Sequence, residues 1–117
     1  MMSSVNEHDF RQLLLTSNSP ILVNFWAPWC GICRQIHPLL ERFEAQAAGR
    51  IRLIDINADE SLQLASEYRL SALPTLLLID HSTVVRRWEG FQGREPLLRA
   101  LEEVAVQYGQ IVATVPS

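Results

Sequence analysis

Two short apolar runs, separated by a helical stretch, constrain the fold of this chain most strongly. The runs are Ile21–Trp26 and Ile51–Ile56, and their length and β-branched content predict strands that are buried on both faces. Between them apolar residues recur at helical spacing, and Gly49 is placed to end that helix. A strand, a helix and a second strand in this order predict a parallel pair joined by one crossover.

Helices are also indicated at three other places. Asn6 is placed to cap a first helix. Asp59 can cap a short helix that carries Leu62, Ala65 and Tyr68. Gly93 and Pro96 open a last helix, which carries a stripe of apolar residues at helical spacing. Along the chain, a predicted helix therefore precedes and follows each predicted strand region.

The runs Thr75–Ile79 and Val84–Trp88 are separated by a short polar turn, and they predict an antiparallel hairpin. With the parallel pair, they give an α/β fold with a central mixed β-sheet and helices on both faces. At 117 residues the chain fits a single domain. The amino end is short, and a first edge strand has only Met2–Val5 in which to form.

Charge and hydropathy exclude several functions. The net charge is −3, whereas a nucleic-acid-binding domain normally has a basic face. No run approaches the ~18 apolar residues of a membrane span, and the start lacks the basic and apolar blocks of a signal peptide. We therefore expect a cytoplasmic protein that contacts neither nucleic acid nor membrane. In a reducing cytosol, two close cysteines indicate redox chemistry or metal binding rather than a structural disulfide.

The two cysteines, Cys30 and Cys33, lie where the first strand ends and a helix begins. The N–H groups and partial positive charge of a helix N-terminus favour thiolate over thiol, and the thiolate is the attacking species in disulfide exchange. Cys30 is therefore the candidate nucleophile. Cys33, one turn further on, is placed to resolve the mixed disulfide.

A zinc or cluster site is the main alternative for a Cys-X-X-Cys pair. Zinc needs four ligands, and the chain has no second cysteine pair. His37 follows Cys33 by four residues and could face the same way, but we interpret it, like His8 and His81, as a side chain without a catalytic role. We expect no metal and no bound cofactor.

The segment Phe25–Cys33 closely resembles the active-site segment of thioredoxins. Pro38 matches the kinking proline of that family's next helix, Leu73–Thr75 matches its cis-proline loop, and Gly90 matches the glycine after its last strand. The resemblance covers about residues 6–106 of the domain 1–117, and residues 107–117 are expected to be a frayed C-terminal tail.

The resemblance implies roles for particular residues. Trp26 would pack beneath the active site, Trp29 would flank Cys30, and Pro74 would be cis and leave neighbouring backbone free to pair with an extended substrate. Partners would dock beside Gly31 and Ile32 in a shallow groove. That groove would be lined by Ala58, Ala72, Leu73, Pro74, Glu89, Gly90 and Phe91.

The chain departs from the thioredoxin pattern at several positions. Ile32 replaces the proline between the cysteines, which loosens the turn and restores an N–H. Asn24 replaces the family's buried acid, and an amide cannot take a proton. Asp55 replaces the lysine beside that acid, and we expect it to serve as the base with Asn24 holding it. Glu89 would add negative charge to the groove and repel acidic partners, and Phe91 would add bulk there.

We therefore predict a thiol–disulfide oxidoreductase that acts on protein disulfides as a monomer and is less reducing than ordinary thioredoxins. Its electrons would come from a separate reductase, because the chain has no dinucleotide or flavin motif. Two alternatives stay open. One is a redox-sensing or partner-binding module with a slow dithiol, and the other is a dimer around a metal held by Cys30 of two chains.

Overall fold

The structure is a computed structural model that describes residues 3–91 and 93–108. Residues 109–117, most of the predicted tail, lie outside the described residues. The elements are β1 (Ser3–Ser4), α1 (Glu7–Thr16), β2 (Ile21–Trp26), α2 (Gly31–Ala47), β3 (Arg52–Asn57), α3 (Leu62–Glu67), β4 (Thr75–Asp80), β5 (Thr83–Glu89) and α4 (Arg94–Gln107).

The five strands form one mixed sheet in the order β1-β3-β2-β4-β5. β3 pairs in parallel with β1 and β2, while β4 pairs antiparallel with β2 and β5. The predicted α/β class with a mixed sheet is confirmed. The hairpin turn between β4 and β5 places His81 and Ser82 at φ values of 52° and 65°, and two successive positive φ values suit the twist of paired strands.

Alternate side chains of the sheet enter two separate cores, as the period of two along a strand requires. On one face, residues such as Leu22, Leu53 and Leu76 pack against apolar side chains of α2 and α4. On the other face, Val23 and Ile54 pack with Phe10 of α1 and with residues of α3. Asn24 and Asp55 belong by alternation to the face that α2 and α4 cover.

The structure contains two of the helix ends that the sequence predicts. The Asn6 side chain caps α1 by accepting a hydrogen bond from the Asp9 N–H at 2.8 Å. Helix α2 ends through Ala48 and Gly49, both with positive φ, which is the geometry expected for a glycine just past a helix end.

The prediction that Asp59 caps the third helix is wrong. Helix α3 begins after Ser61 with no side-chain cap, and the Asp59 carboxylate instead accepts the indole N–H of Trp29 at 2.9 Å. The inward residue of α3 is Leu64, whereas Leu62 is 70% exposed. Of the helices in the described ranges, none is long and apolar enough to cross a membrane.

Candidate active site

The dithiol lies at the junction of β2 and α2. Cys30 is the N-cap of α2, and its Sγ accepts a hydrogen bond from the Cys33 N–H at 3.1 Å. The two sulfurs are joined as a disulfide. Cys30 is 7% exposed and Cys33 is 2% exposed, so Cys30 is the residue that a partner reaches first.

Two tryptophans and the residues between the cysteines surround this disulfide. Trp29, next to Cys30, is 68% exposed and is held by its bond to Asp59. Trp26 is partly buried at the end of β2. Gly31 is exposed, while the Ile32 side chain is partly buried and packs against the core under α2 and α4. The active-site turn thus gains an apolar anchor at Ile32.

A second loop meets the sheet at the same end. Thr75 pairs with Phe25, so Pro74 lies beside the end of β2 from which the dithiol loop leaves. The Leu73–Pro74 peptide bond is cis, as the resemblance implies. The Pro74 carbonyl accepts a hydrogen bond from the Gly90 N–H at 3.0 Å, and a Cβ built at Gly90 would contact the Ala72 Cβ at 3.7 Å.

The third side of the predicted groove follows β3. Ala58 comes directly after β3, and its N–H donates to the Trp26 carbonyl at 2.8 Å. The ends of β2 and β3 and the start of β4 therefore bring Trp26, Ala58, Pro74 and Gly90 to one edge of the sheet.

Two groove residues behave differently from the sequence prediction. Phe91 is 7% exposed and packs in the core with residues of α4, so the prediction that it adds bulk to the groove is wrong. Burial of an aromatic ring in the core that α2 and α4 cover removes more apolar surface from water than exposure in a shallow groove would.

The Glu89 side chain is exposed, and its carboxylate has two hydrogen-bond partners. Its carboxylate accepts hydrogen bonds from the Arg87 Nε at 2.6 Å and from the Ser71 hydroxyl at 2.9 Å. These bonds, from Arg87 first and then Ser71, lower the pKa of the Glu89 carboxyl from its ordinary value. Glu89 therefore presents a balanced ion pair rather than a bare negative charge, which weakens the basis for repulsion of acidic partners.

A buried polar cluster lies beneath α2. Asn24 and Asp55 are partners across the parallel β2–β3 pair, and they are 1% and 5% exposed. The Asn24 Nδ2 donates to Asp55 Oδ1 at 2.9 Å, as predicted from the crossover. The second carboxylate oxygen, Oδ2, lies 2.7 Å from the Nε2 of His37. Both oxygens of this buried acid thus have a partner.

His37 is the functional candidate that the sequence interpretation missed. It lies on α2 one turn after Cys33, where residues four apart share a helix face. Its side chain is 37% exposed, and its Nδ1 lies 3.7 Å from the Glu41 carboxylate. The i, i+4 spacing from Cys33 was the signal in the sequence. The contact with Asp55 shows that His37 belongs to the buried polar cluster.

Pro38 lies inside α2, directly after His37. In residues 3–91 and 93–108, no group of three or more His, Cys, Asp or Glu side chains is placed to hold a metal ion.

The comparisons with known proteins agree with this geometry. The family model for thioredoxin matches residues 1–103. The chain is 36% identical over 101 residues to thioredoxin 1 of Nostoc, covering 86% of this chain and 94% of the relative. It is 33% identical over 99 residues to thioredoxin of Synechocystis, covering 85% and 92%.

A third relative is the bifunctional thioredoxin reductase/thioredoxin of Mycobacterium leprae, which is 33% identical over 100 residues, covering 86% of this chain and 22% of that protein. The family model and the cyanobacterial relatives establish that the chain belongs to the thioredoxin family. With Cys30 and Cys33 paired at its site, it is a thiol–disulfide oxidoreductase.

Proposed function

We propose that this protein reduces disulfides of other proteins through Cys30, with Cys33 resolving. The Cys30 thiolate attacks one sulfur of the target disulfide, which forms a mixed disulfide and releases the first target thiolate. Cys33 then loses its proton and attacks the Cys30 sulfur, so that the second target thiolate leaves. Two electrons pass from the dithiol to the target. The observation that carries the proposal is the N-cap position of Cys30, whose Sγ faces a helix N–H.

The groove at the sheet edge would hold the target while these steps occur. Its residues are neutral or, at Glu89, charge-balanced. We place target backbone beside Pro74, next to the dithiol loop that carries Trp29. The groove set is Trp29, Gly31, Ile32, Ala58, Ala72, Leu73, Pro74, Glu89 and Gly90, with Phe91 supporting it from the core.

Electrons for the next cycle would come from a separate reductase. One relative carries thioredoxin reductase and thioredoxin in a single protein by its name, which supports a reductase of that class as the donor. We place the activity in the cytoplasm, where dithiols are kept reduced.

We also propose that Asp55 takes the proton of Cys33, directly or through a water. A general base is needed because the thiolate attacks and the thiol does not. Asp55 is buried on the face of the sheet that α2 covers, and it contacts His37, one turn from Cys33. Because the side-chain Nδ2 of Asn24 donates to Asp55, the Oδ1 of Asn24 faces away from Asp55. That buried Oδ1 of Asn24 has no hydrogen-bond partner among the described residues, so it is an open acceptor on the face of the sheet that α2 covers.

Replacing Cys33 tests the assignment of the two cysteines. In Cys33→Ser, attack by Cys30 should proceed and stop at the mixed disulfide, because no second thiol can resolve it. Incubation with an oxidised target protein, followed by non-reducing electrophoresis, should show the adduct accumulate. Cys30→Ser is the matched control and should accumulate none. Adducts in Cys30→Ser but not in Cys33→Ser would reverse the assignment.

The turnover rate separates this function from the sensing or binding module. The wild-type protein should reduce insulin disulfides repeatedly with dithiothreitol as the electron source. A single slow reduction per molecule, with stable adducts even when Cys33 is present, would favour the module.

Ile32→Pro should make the dithiol more reducing. Proline removes an N–H from the first turn of α2, where such groups stabilise the Cys30 thiolate and hence the reduced form. A hydrogen bond to a charged group is worth about 1.5–3 kcal/mol, and 30 mV corresponds to about 1.4 kcal/mol for this couple. We expect the potential to fall by about 30 mV, measured by equilibration with glutathione. An unchanged or higher potential would contradict this role of Ile32.

A further inference from the structure

We propose that His37 is the cationic partner of Asp55, a positioning residue for proton removal from Cys33. The inference rests on the proposed role of Asp55 as the base. It starts from the short contact between His37 Nε2 and Asp55 Oδ2, which is 2.7 Å long and joins a ring that is 37% exposed to a carboxylate side chain that is 7% exposed.

The cation that pairs with Asp55 in this structure is a histidine. All ten basic residues are arginine, so no lysine can stand beside the buried acid. Among the ion pairs found in the described ranges, the pair with Asp55 is made by His37. A buried carboxylate without a counter-charge is costly, and an imidazolium that donates from Nε2 supplies both a hydrogen bond and a charge.

The two nitrogens of the ring face different surroundings. Nε2 faces the buried Asp55, while Nδ1 lies 3.7 Å from the Glu41 carboxylate on the outer side of α2. An imidazolium carries a proton on each nitrogen, so the ring can release the Nδ1 proton while Nε2 keeps its bond to Asp55.

This arrangement lets the cluster take a proton without gaining charge. When the Cys33 proton moves to the Asp55 carboxylate, the protonated ring of His37 releases its Nδ1 proton to water. The products are a Cys33 thiolate, a neutral acid and a neutral ring. Once the disulfide has formed, the acid loses its proton to water and the ring takes one up, which restores the ion pair beside the disulfide. When the reductase regenerates the dithiol, the same steps run in reverse. His37 acts through Asp55 and touches no reacting sulfur in this scheme.

Two substitutions separate the charge from the hydrogen bond. His37→Gln can still donate to Asp55 but cannot carry a charge, and His37→Ala does neither. The reduced protein is mixed rapidly with 5,5′-dithiobis(2-nitrobenzoate), and release of the first and second thionitrobenzoate reports formation and resolution of the mixed disulfide on Cys30. We expect formation to be unchanged and resolution to slow about tenfold in both variants, less than the full loss of a general base.

Added imidazole supplies a readout that a purely structural role would not move. Because the side chain of His37 is 37% exposed, imidazole can enter the space left in His37→Ala, and it should restore most of the resolution rate there. His8→Gln, on the exposed first turn of α1, is the matched control and should behave as wild type.

Asp55→Asn, measured in the same way, separates the two ideas. If Asp55→Asn resolves normally, the proposed base fails, and the role of His37 fails with it. If Asp55→Asn is slow while His37→Gln resolves at the wild-type rate, only the inference about His37 is overturned. A slow His37→Ala that imidazole does not accelerate overturns it equally.

Discussion

Asp55→Asn should slow resolution of the mixed disulfide about 100-fold, the low end of the range for general acid–base catalysis, and should leave its formation unchanged. The substitution keeps the size of the side chain, and an amide can still bond to Asn24, so the packing under α2 is retained. What is lost is the carboxylate that takes the Cys33 proton. Attack by Cys30 does not use that carboxylate, which is why the effect should fall on one step.

The measurement is the same two-phase release of thionitrobenzoate, with the second phase reporting resolution. Asp59→Asn is the matched control, since it removes a carboxylate next to the site while an amide oxygen can still accept the Trp29 indole N–H. Urea unfolding of each variant checks that the fold is retained. Equal slowing of both phases, or no slowing in Asp55→Asn, would show that the proton leaves Cys33 by another route.

The sequence predicts the fold and the Asn24–Asp55 contact for a physical reason. Short apolar runs rich in β-branched residues predict strands that are buried on both faces. A single helical crossover then places two consecutive strands side by side. The exact register comes from the structure, in which β3 begins at Arg52, one residue after the start of the predicted run, so that Asn24 and Asp55 each stand fourth in their strands. Neighbouring parallel strands with matched starts bring such residues together, so the hydrogen bond between them follows.

The contacts that the sequence does not predict all depend on how separate elements pack. His37 could have faced solvent, and only the placement of α2 on the sheet turns it towards Asp55. Asp59 has good cap chemistry, but Trp29 competes for it across 30 residues of sequence. Phe91 follows a strand end, where its side chain could enter either the groove or the core, and it packs in the core that α2 and α4 cover. Local propensity decides none of these three outcomes.

Asn24→Asp should destabilise the protein by about 3 kcal/mol at alkaline pH, which is the scale of an uncompensated buried charge. The Asn24 amide now donates to the Asp55 carboxylate at 2.9 Å, with both residues almost fully buried. A second carboxylate in that position would oppose the first at hydrogen-bond distance. Urea unfolding followed by tryptophan fluorescence measures the loss, and Asn6→Asp is the control, because aspartate caps a helix as well as asparagine does.

The two facing carboxylates at positions 24 and 55 determine how the stability of Asn24→Asp changes with pH. At high pH both carboxylates are ionised when unfolded, and folding must either bring two charges together or take up a proton. As the pH falls, one carboxyl binds a proton and donates a hydrogen bond to the other. The deficit of Asn24→Asp relative to wild type should therefore shrink at lower pH. A deficit that is equal at both pH values would show that the two groups do not interact as the structure indicates.

Returning an acid to position 24 should therefore fail to restore ordinary thioredoxin behaviour, although that is where the family carries its buried acid. The family's acid has a lysine beside it, and here the neighbouring strand position holds Asp55. The double variant Asn24→Asp with Asp55→Lys places opposite charges across the same strand pair, and it should regain most of the stability that Asn24→Asp loses. If the double variant is no more stable than Asn24→Asp, the loss arises from packing around position 24 rather than from the facing charges.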